Sequence, residues 1–534
     1  MKRTISIITA LFLIIAIFAG CSAQSDTAEQ SETDTTGTAA AVSSISGDEM
    51  FSDRDKEIGY SEAESTIITL ADGASSVSGS GAEVKGDAVT ITKEGTYILT
   101  GSLTDGQIVV NTADDAKIQV VLDGAEVTSK SSAAIYVKSA DKVFITTAYG
   151  TENIVKAAGE FTQTDDNNVD GAIFAKSDLT LNGAGTLTIE SAYGHGVVSK
   201  DDLAVTSGTY VITSAKQGLS GKDSVRIADG TFTIEAGTDA VHAENEDDTT
   251  LGFVYISGGT MNLSAEKQGI QATSTATIVG GKIDISKSYE GIEGLVINIS
   301  GGKIGIVSSD DGLNAAAANT QIGGGMGGGM AAVDGCEINI SGGSLNIDAS
   351  GDGIDSNGDL TISGGTITVS GPTERNDGTL DYNGTGEITG GTLLGAGSSG
   401  MALGFSDSST QCSILYNLTS AQEAGTKVVL SDSNGNILAE FSPVKQFQSV
   451  NISVPSLNSG SVYTLAVGSE EYTIELTSTS FSNGGMGGGN MGGGMGGGNM
   501  SDQPKGGDRP GGGTGGPQGG MPNDATSSAT VTQS

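Results

Sequence analysis

The chain has 534 residues and a formal net charge of −39, with 64 acidic against 25 basic residues. This charge argues against nucleic acid and anionic lipid as partners and favours cations, or ligands bound through cations. Glycine accounts for 84 residues, aromatic residues make up 4% and the tryptophan count is 0. A thick globular core is therefore excluded in favour of a narrow one built from Val, Ile and Leu.

The amino terminus reads as an export signal. Two basic residues at positions 2 and 3 precede an apolar run, Ile5–Ala19, that is too short for a stable membrane span. The run ends in FAGC, which resembles a bacterial lipobox with Phe18 in place of the usual Leu. We predict a lipoprotein signal peptide over residues 1–20, lipidation of Cys21 and anchoring at the cell surface through this lipid alone. An ordinary cleaved signal with an incidental Cys is the alternative.

A stretch rich in Ser, Thr, Asp and Ala follows the signal. It has almost no apolar content, so residues 21–60 are predicted to form a disordered tether. Cys336 and Cys412 do not make a disulfide framework, and we expect both to be free and buried.

Residues 61–405 are assigned to one repetitive domain, in which short alternating apolar segments recur from Thr66 onward. From Leu179 they become a repeat of the form x-aliphatic-x-aliphatic-Ser-Gly-Gly-x-aliphatic-x-aliphatic. Most repeats are 21 to 24 residues apart. Its phase is marked by the second aliphatic residue of each first strand, at Leu181, Val205, Ile227, Ile256, Ile278, Ile299, Ile340, Ile362 and Ile388. A period near 22 carried by alternating strands predicts an all-β parallel solenoid and excludes helical repeats.

A second regularity lies thirteen residues after most of these aliphatics. A small residue recurs there and is followed by an aliphatic residue, which predicts one stacked corner with an inward ladder. The small residues are Gly218, Ala240, Gly269, Gly291, Gly312 and Gly353, and the aliphatics are Leu219, Val241, Ile270, Ile292, Leu313 and Ile354. Stacked coils lie about 4.8 Å apart.

Polar residues flank this corner on both sides and become acidic toward the carboxyl end. The candidate ligands are Glu290, Glu293, Asp310, Asp311, Asn314, Asp352 and Asp355, with Asp348 and Asp359 as neighbouring acids. Stacked carboxylates repel unless a cation bridges them, and hard oxygen ligands select Ca²⁺. We predict a calcium site here. A solvated acidic corner that only keeps the solenoid soluble is the alternative.

Histidine occurs twice, as His195 and His242, and we interpret both as structural or solvent-facing residues. The sequence shows no Ser/His/Asp set, Cys/His cluster, phosphate loop or dinucleotide motif, and the Gly/Met segments lack the Lys that a phosphate loop needs.

Several segments together carry a family resemblance. ITKEGTYILTGSLTDGQIVVNTADDAKIQVVLDGAEVTS and AAIYVKSADKVFIT, followed by YEGIEG, DDGLNAA and the SGG repeats, resemble the bacterial carbohydrate-binding, calcium-binding parallel β-helix family. The resemblance spans about residues 66–400. It implies a right-handed β-helix like that of pectate lyases, bound Ca²⁺ and binding of plant cell-wall polysaccharides, including cellulose and acidic sugars.

We expect binding rather than catalysis. A lyase of this architecture would need a basic side chain to abstract a proton, and no motif marks one. Candidate sugar contacts are Tyr193, Tyr289, Lys267 and Lys287, with Tyr149 as a further aromatic beside the corner. A polysaccharide lyase and a purely structural or adhesive stalk remain as alternatives.

The period is lost after residue 405. Residues 406–480 are predicted to form a small antiparallel β domain that caps the solenoid. The Gly/Met insertion between Ala315 and Asp334 is predicted to be a loop, and residues 481–534 a disordered Gly/Met-rich tail.

Overall fold

The computed structural model describes residues 49–317 and 331–484. The predicted signal peptide, Cys21, most of the tether, the centre of the Gly/Met insertion and nearly all of the tail lie outside these residues. Helix is confined, within the described residues, to an α-helical turn at Asp53–Lys56 and a 3₁₀ turn at Glu62–Glu64. No helix in this part of the chain is long and apolar enough to cross a membrane.

Two faces of the solenoid belong to one continuous sheet, because the long strands Gly95–Leu103 and Lys117–Ser129 bend from one face to the other. Its described strands are Thr66–Leu70, Ser76–Ser78, Gly95–Leu103, Lys117–Ser129, Lys142–Thr147, Glu152–Ala157, Asp178–Gly183, Thr186–Ser191, Asp202–Val205, Thr209–Ser214, Ser224–Ile227, Thr231–Ala236, Phe253–Ile256, Thr260–Ala265, Thr275–Ile278, Lys282–Ser288, Val296–Ile299, Lys303–Ser308, Glu337–Ile340, Ser344–Asp348, Asp359–Ile362, Thr366–Ser370, Gly386–Ile388, Thr392–Gly397, Ser413–Gln422, Phe447–Ser453 and Ser480–Ser482.

The third face is a separate sheet of short strands, which we call the site sheet. From its second strand onward every pairing is parallel. Its described strands are Ala82–Lys85, Ala88–Ile91, Gln107–Asn111, Ile135–Ser139, Gly171–Ala175, His195–Ser199, Leu219–Gly221, Val241–Ala243, Ile270–Ala272, Ile292–Gly294, Leu313–Ala315, Ile354–Ser356 and Leu380–Tyr382.

The core is formed by strands whose side chains point alternately inward and outward. In Thr231–Ala236, for example, every second residue is buried and the others are exposed. The inward aliphatics of all three faces form one continuous hydrophobic cluster that runs from Ile68 to Phe405. The expected all-β parallel solenoid with a narrow aliphatic core is confirmed.

The Ser-Gly-Gly motif is explained by its turn. The second glycine of six successive turns, from Gly259 to Gly391, has φ between +83° and +93°, a region that L-residues other than glycine rarely adopt. A Cβ on the first glycine of the same turns, such as Gly301, would lie 2.2 Å from a carbonyl oxygen of the preceding coil. Both positions therefore require glycine.

Antiparallel strands lie at both ends of the solenoid. Ser76–Ser78 pairs with Thr66–Leu70 at the amino end, and Phe447–Ser453 pairs with Thr392–Gly397 at the other. A four-stranded antiparallel sheet follows, formed by Val428–Asp432, Ile437–Phe441, Ser461–Val467 and Glu470–Leu476. Ser76–Ser78 and Phe447–Ser453 thus cover strand edges that would otherwise be free to pair with another chain.

One part of the tether prediction is wrong. Residues 49–60 were assigned to the disordered tether, but Met50 and Phe51 are buried against Ala204 and Tyr255 on the solenoid surface. The Asp55 carboxylate lies 2.8 Å from the Lys142 ammonium and accepts a hydrogen bond from the Thr180 hydroxyl at 2.5 Å. Side chains of the solenoid also donate hydrogen bonds to the Met50 and Asp55 carbonyls, so this segment is docked although its average composition is polar.

Candidate functional site

The site sheet presents two stacked rows of side chains at one corner. The outward row, which follows each inward aliphatic, is aligned by strand register: Val198, Ser220, His242, Gln271, Glu293, Asn314, Asp355 and Asp381. The turn row consists of the residue just before each small corner residue, and backbone hydrogen bonds between coils align it: His195, Gln217, Asp239, Gln268, Glu290, Asp311 and Asp352. The aliphatics between the two rows are fully buried, so the fixed spacing seen in the sequence is one physical corner.

The acidic residues of the two rows converge at the carboxyl half of the sheet. One carboxylate oxygen from each of Glu290, Asp310 and Asp311 lies within 4.8 Å of the other two. The Asp352 backbone N–H donates to Asp311 Oδ1 at 2.7 Å, and Gly378 N–H donates to Asp352 Oδ1 at 2.5 Å. Main-chain donors thus hold these carboxylates in place. We call the predicted ligand residues, together with Asp377 and Asp381, the acid cluster.

Asn314 lies in the middle of this cluster, between Glu293 and Asp355 on the neighbouring strands. Its side-chain amide donates to Glu290 Oε1 at 2.9 Å, while its Oδ1 is buried without a hydrogen-bond partner. Asn314 as a whole is 9% exposed. A buried acceptor without a donor is costly, and a hard cation is a partner that would satisfy it. The residues present fit such an ion.

Burial and mutual repulsion hold these carboxyls partly protonated when no cation is bound. Burial, and after it the nearby Glu290 carboxylate, raises the pKa of Glu293 to about 7. Burial also raises the pKa of Asp311 to about 7 and that of Asp352 to about 8. Asp355 reaches a pKa of about 9, because burial is reinforced by the charges of Asp311 and Asp352. The cluster therefore stores electrostatic strain that a divalent cation would relieve.

Two acids proposed from the sequence as neighbours are engaged elsewhere. Asp348 is paired with Lys445, whose Nζ lies 2.6 Å from Asp348 Oδ1. The Asp359 carboxylate accepts a hydrogen bond from Thr385 N–H at 2.6 Å, at a different turn of the coil. Neither belongs to the acid cluster.

Asp377 and Asp381 were missed by the sequence analysis. Asp381 pairs directly with Asp355 in the site sheet, and the charges of Asp310 and Asp381 add to the burial that raises the pKa of Asp377. The signal was present as Asp377-Gly378-Thr379-Leu380-Asp381. Backbone hydrogen bonds from Gly353 N–H to the Gly378 carbonyl and from Ile354 N–H to the Thr379 carbonyl place Thr379 at the corner position. That position follows Ile362 by 17 residues instead of 13, so the counting rule missed it.

The four predicted sugar contacts separate in space. Lys267 and Tyr289 lie in successive coils at the edge of the acid cluster, where Tyr289 N–H donates to the Lys267 carbonyl at 2.6 Å. Tyr289 is 48% exposed, and its hydrogen bond with Asp310 raises its pKa to about 12. Lys287 is exposed and lies 2.5 Å from a Glu266 carboxylate oxygen. Tyr193 lies four coils from Glu290, in the turn before His195, so the structure does not bring it to the cluster.

Both histidines are held through both ring nitrogens. His242 Nδ1 lies 2.9 Å from Asp239 Oδ2, and Nε2 lies 3.3 Å from Glu244 Oε2. His195 Nε2 lies 3.4 Å from Asp170 Oδ2, and Nδ1 accepts from Gln217 N–H at 3.3 Å. Burial alone would lower the pKa of His242, but the two carboxylates outweigh it and raise the pKa to about 9. Neither ring offers a free nitrogen to a substrate proton.

Cys336 and Cys412 are free and buried, as expected.

Comparison with known proteins points to carbohydrate binding. Residues 85–335 match the model of a family described as carbohydrate-binding domain-containing protein. A protein of that description from Acetivibrio thermocellus is 37% identical over 134 residues, which are 25% of this chain and 47% of the relative. The chain thus spans about half the length of this curated relative.

A solved structure, described as the polysaccharide lyase-like protein from C. thermocellum in a gadolinium derivative, is 31% identical to this chain. The match has a TM-score of 0.43 and covers 44% of this chain and 96% of that one. The resemblance to a carbohydrate-binding family is confirmed for the matched residues 85–335, which include Glu290 and Asn314 but end before Asp352.

Proposed function

We propose that this chain is a non-catalytic polysaccharide-binding protein whose acid cluster holds Ca²⁺ and binds acidic glycans through it. The observation that carries the proposal is a set of buried and half-buried carboxylates without cationic partners. Within residues 49–317 and 331–484, none of Glu290, Glu293, Asp311, Asp352 and Asp355 forms an ion pair with a basic side chain. Buried charges in proteins are normally paired or bind metal.

Calcium suits the cluster better than other common cations. Ca²⁺ takes six to eight oxygen ligands in flexible geometry, and the cluster supplies carboxylates from several successive coils together with the free Asn314 Oδ1. The absence of His and Cys from the cluster argues against zinc and copper. A uronate carboxylate of the glycan would complete the coordination of the ion, which makes binding depend on the cation.

Exposed groups beside the cluster provide the remaining contacts. Tyr289 offers a half-exposed ring against which a sugar can pack. The ammonium of Lys267, one coil away, can pair with a second acidic group along the glycan. Tyr149 is 90% exposed but follows the strand Lys142–Thr147 on a different face of the solenoid, so we do not include it.

A polysaccharide lyase is the second candidate. Such an enzyme needs a base that removes a proton next to the uronate carboxylate. Lys287 is engaged with Glu266, Lys445 with Asp348, and both histidines with carboxylates, which favours binding over catalysis. Lys267, which is exposed beside the cluster, is the basic side chain that a lyase would have to use. Formation of unsaturated uronate products from polygalacturonate in the presence of calcium would establish the lyase instead.

Binding of polygalacturonate to wild-type protein, with calcium and with a chelator, tests the proposal. The key variant carries Glu293→Gln and Asp355→Asn, which keep side-chain size and remove two charges. The matched control carries Glu235→Gln and Asp284→Asn, two exposed outward acids on another face. We expect binding to require calcium, to be lost in the key variant and to persist in the control. Binding that survives in chelator and in the key variant would refute the calcium site, and no binding in any condition would favour the stalk.

The proposed location is the cell surface, through a lipid on Cys21. Its support is the sequence alone, since Cys21 lies outside the described residues. Incorporation of labelled fatty acid into wild-type protein but not into Cys21→Ser would test it. Equal labelling of both proteins would refute it.

A further inference from the structure

A pocket of about 350 Å³ opens on the outer face of the site sheet, near the middle of the sheet. Its floor is the outward row, with Val198, Ser220 and His242 on three adjacent strands. Gln217, Lys200 and Lys222 stand around it. This volume falls in the range of small-molecule sites, about 300–1,000 Å³. The pocket belongs to the same two rows as the acid cluster, because His242 is separated from Glu293 by Gln271 alone.

The chemistry of this pocket differs from that of the acid cluster. Two of its three acids have partners, since Glu244 faces the His242 imidazole and Asp247 lies 2.6 Å from the Lys222 ammonium, and the third, Glu246, is exposed to solvent. Lys200 extends over the Phe174 ring, with its ammonium 5.5 Å from the ring centroid. Basic and acidic side chains therefore both line the pocket, and its acids, which are exposed, do not form a buried set of carboxylates like that of the acid cluster.

The lining also mixes polar and apolar groups at close range. Gln217 and Ser220 offer an amide and a hydroxyl, while the aliphatic part of Lys200 offers apolar surface. An uncharged sugar ring has hydroxyl groups around its edge and C–H groups on its faces, so it matches such a lining without needing a metal. The two histidines, held at both nitrogens, stiffen the site instead of acting on the ligand.

We propose that this pocket is a second saccharide subsite, independent of metal, which binds an uncharged sugar unit. The inference rests on the proposed polysaccharide-binding function and adds to it a second binding site at a different place on the site sheet. Glu293 lies on the second strand after that of His242, a distance of about 10 Å along the solenoid axis. A glycan of mixed composition can therefore lie along the site sheet, with an acidic unit at the acid cluster and a neutral unit in the pocket. Tyr193, 53% exposed and two residues before His195, lies in the turn that leads into this subsite.

Calorimetry with two hexasaccharides separates the sites: cellohexaose as the neutral probe, measured in chelator, and hexagalacturonate as the acidic probe, measured in calcium. Ser220→Phe places a ring on the pocket floor, and Gln217→Ala removes an amide without adding volume. Thr233→Phe adds the same ring at an exposed outward position on another face and serves as the matched control.

We expect wild-type protein to bind cellohexaose in chelator. Ser220→Phe should weaken this binding by roughly tenfold or more, because a filled pocket excludes the sugar, and Gln217→Ala should weaken it to a smaller extent. Thr233→Phe should change neither probe, and all three variants should keep calcium-dependent hexagalacturonate binding.

The subsite is overturned if wild-type protein does not bind cellohexaose in chelator, or if both pocket variants bind it as the control does. If Ser220→Phe fails to fold, as thermal unfolding will show, Gln217→Ala alone decides. If wild-type protein binds cellohexaose in chelator but does not bind hexagalacturonate in calcium, the calcium site is refuted and the neutral subsite is supported.

Discussion

Replacing Asp355 by Asn is expected to stabilise the metal-free protein and to remove most of its response to calcium. Asp355 lies among other carboxyls, and burial together with the charges of Asp311 and Asp352 raises its pKa from 3.8 to about 9. A carboxyl with a raised pKa contributes most stability below the pKa of the unfolded chain and loses that contribution as the pH rises through the folded pKa. The metal-free protein should therefore become less stable between about pH 4 and pH 9.

The size of the effect follows from the same shift. One pKa unit corresponds to about 1.4 kcal/mol, so holding Asp355 protonated at pH 7 costs up to about 4 kcal/mol relative to the unfolded chain. Asn cannot ionise and avoids this cost. With an unfolding entropy of about 2.1 cal/mol/K per residue, a gain of about 2–4 kcal/mol raises the Tm by roughly 2–4 °C in a domain of this size.

Thermal unfolding followed by circular dichroism measures both the stability of the metal-free protein and its response to calcium. It is carried out in chelator and in excess calcium, each at acidic and at alkaline pH. Wild-type protein should gain more from calcium at alkaline pH, and Asp355→Asn should gain little at either pH. Glu235→Gln, an exposed acid on another face, is the control and should behave as wild type. A metal-free wild type equally stable at both pH values, or an Asp355→Asn variant with the full calcium response, would refute the reasoning.

Three further outcomes are expected. Asn314→Leu removes the unpartnered Oδ1 and should weaken calcium binding, measured by calorimetry, by roughly tenfold or more. The control Asn346→Leu, at an exposed position on another face, should leave calcium binding unchanged. Equal calcium affinities of the two variants would exclude Asn314 as a ligand. Calcium binding near neutral pH should release protons and weaken as the pH falls, because carboxyls with pKa values of about 7 to 9 must ionise to bind the ion. Binding heats that do not vary with the ionisation enthalpy of the buffer would contradict this proton release. Gly291→Ala places a Cβ 2.3 Å from the Gly312 carbonyl oxygen and should destabilise the protein by about 1–3 kcal/mol in the same unfolding assay. The control Gly305→Ala places its Cβ 3.1 Å from the flexible Asp284 side chain and should have little effect. Equal stability of the two variants would show that the corner can widen.

Much of the fold was determined by sequence periodicity. Alternating aliphatics with a repeat near 22 residues leave a parallel solenoid as the architecture that buries every ladder, and the fixed distance to Gly291 and its equivalents placed the acid cluster at one corner. Strand register could be counted because the spacing is constant wherever a side chain must face inward. The count failed where a coil carries extra residues: Gly196 follows Leu181 by 15 residues and Thr379 follows Ile362 by 17, instead of 13, and the second of these insertions hid Asp381.

Other features depended on contacts between residues far apart in the chain. Met50 and Asp55 dock on coils more than a hundred residues away, and Lys445 takes Asp348 out of the acid cluster. The pocket beside His242 depends on which neighbours occupy its ring nitrogens and on the space left above Ser220. Periodicity specifies which face a side chain occupies, because that follows from local backbone geometry. Its partners and its pKa depend on groups that only the folded coil brings together.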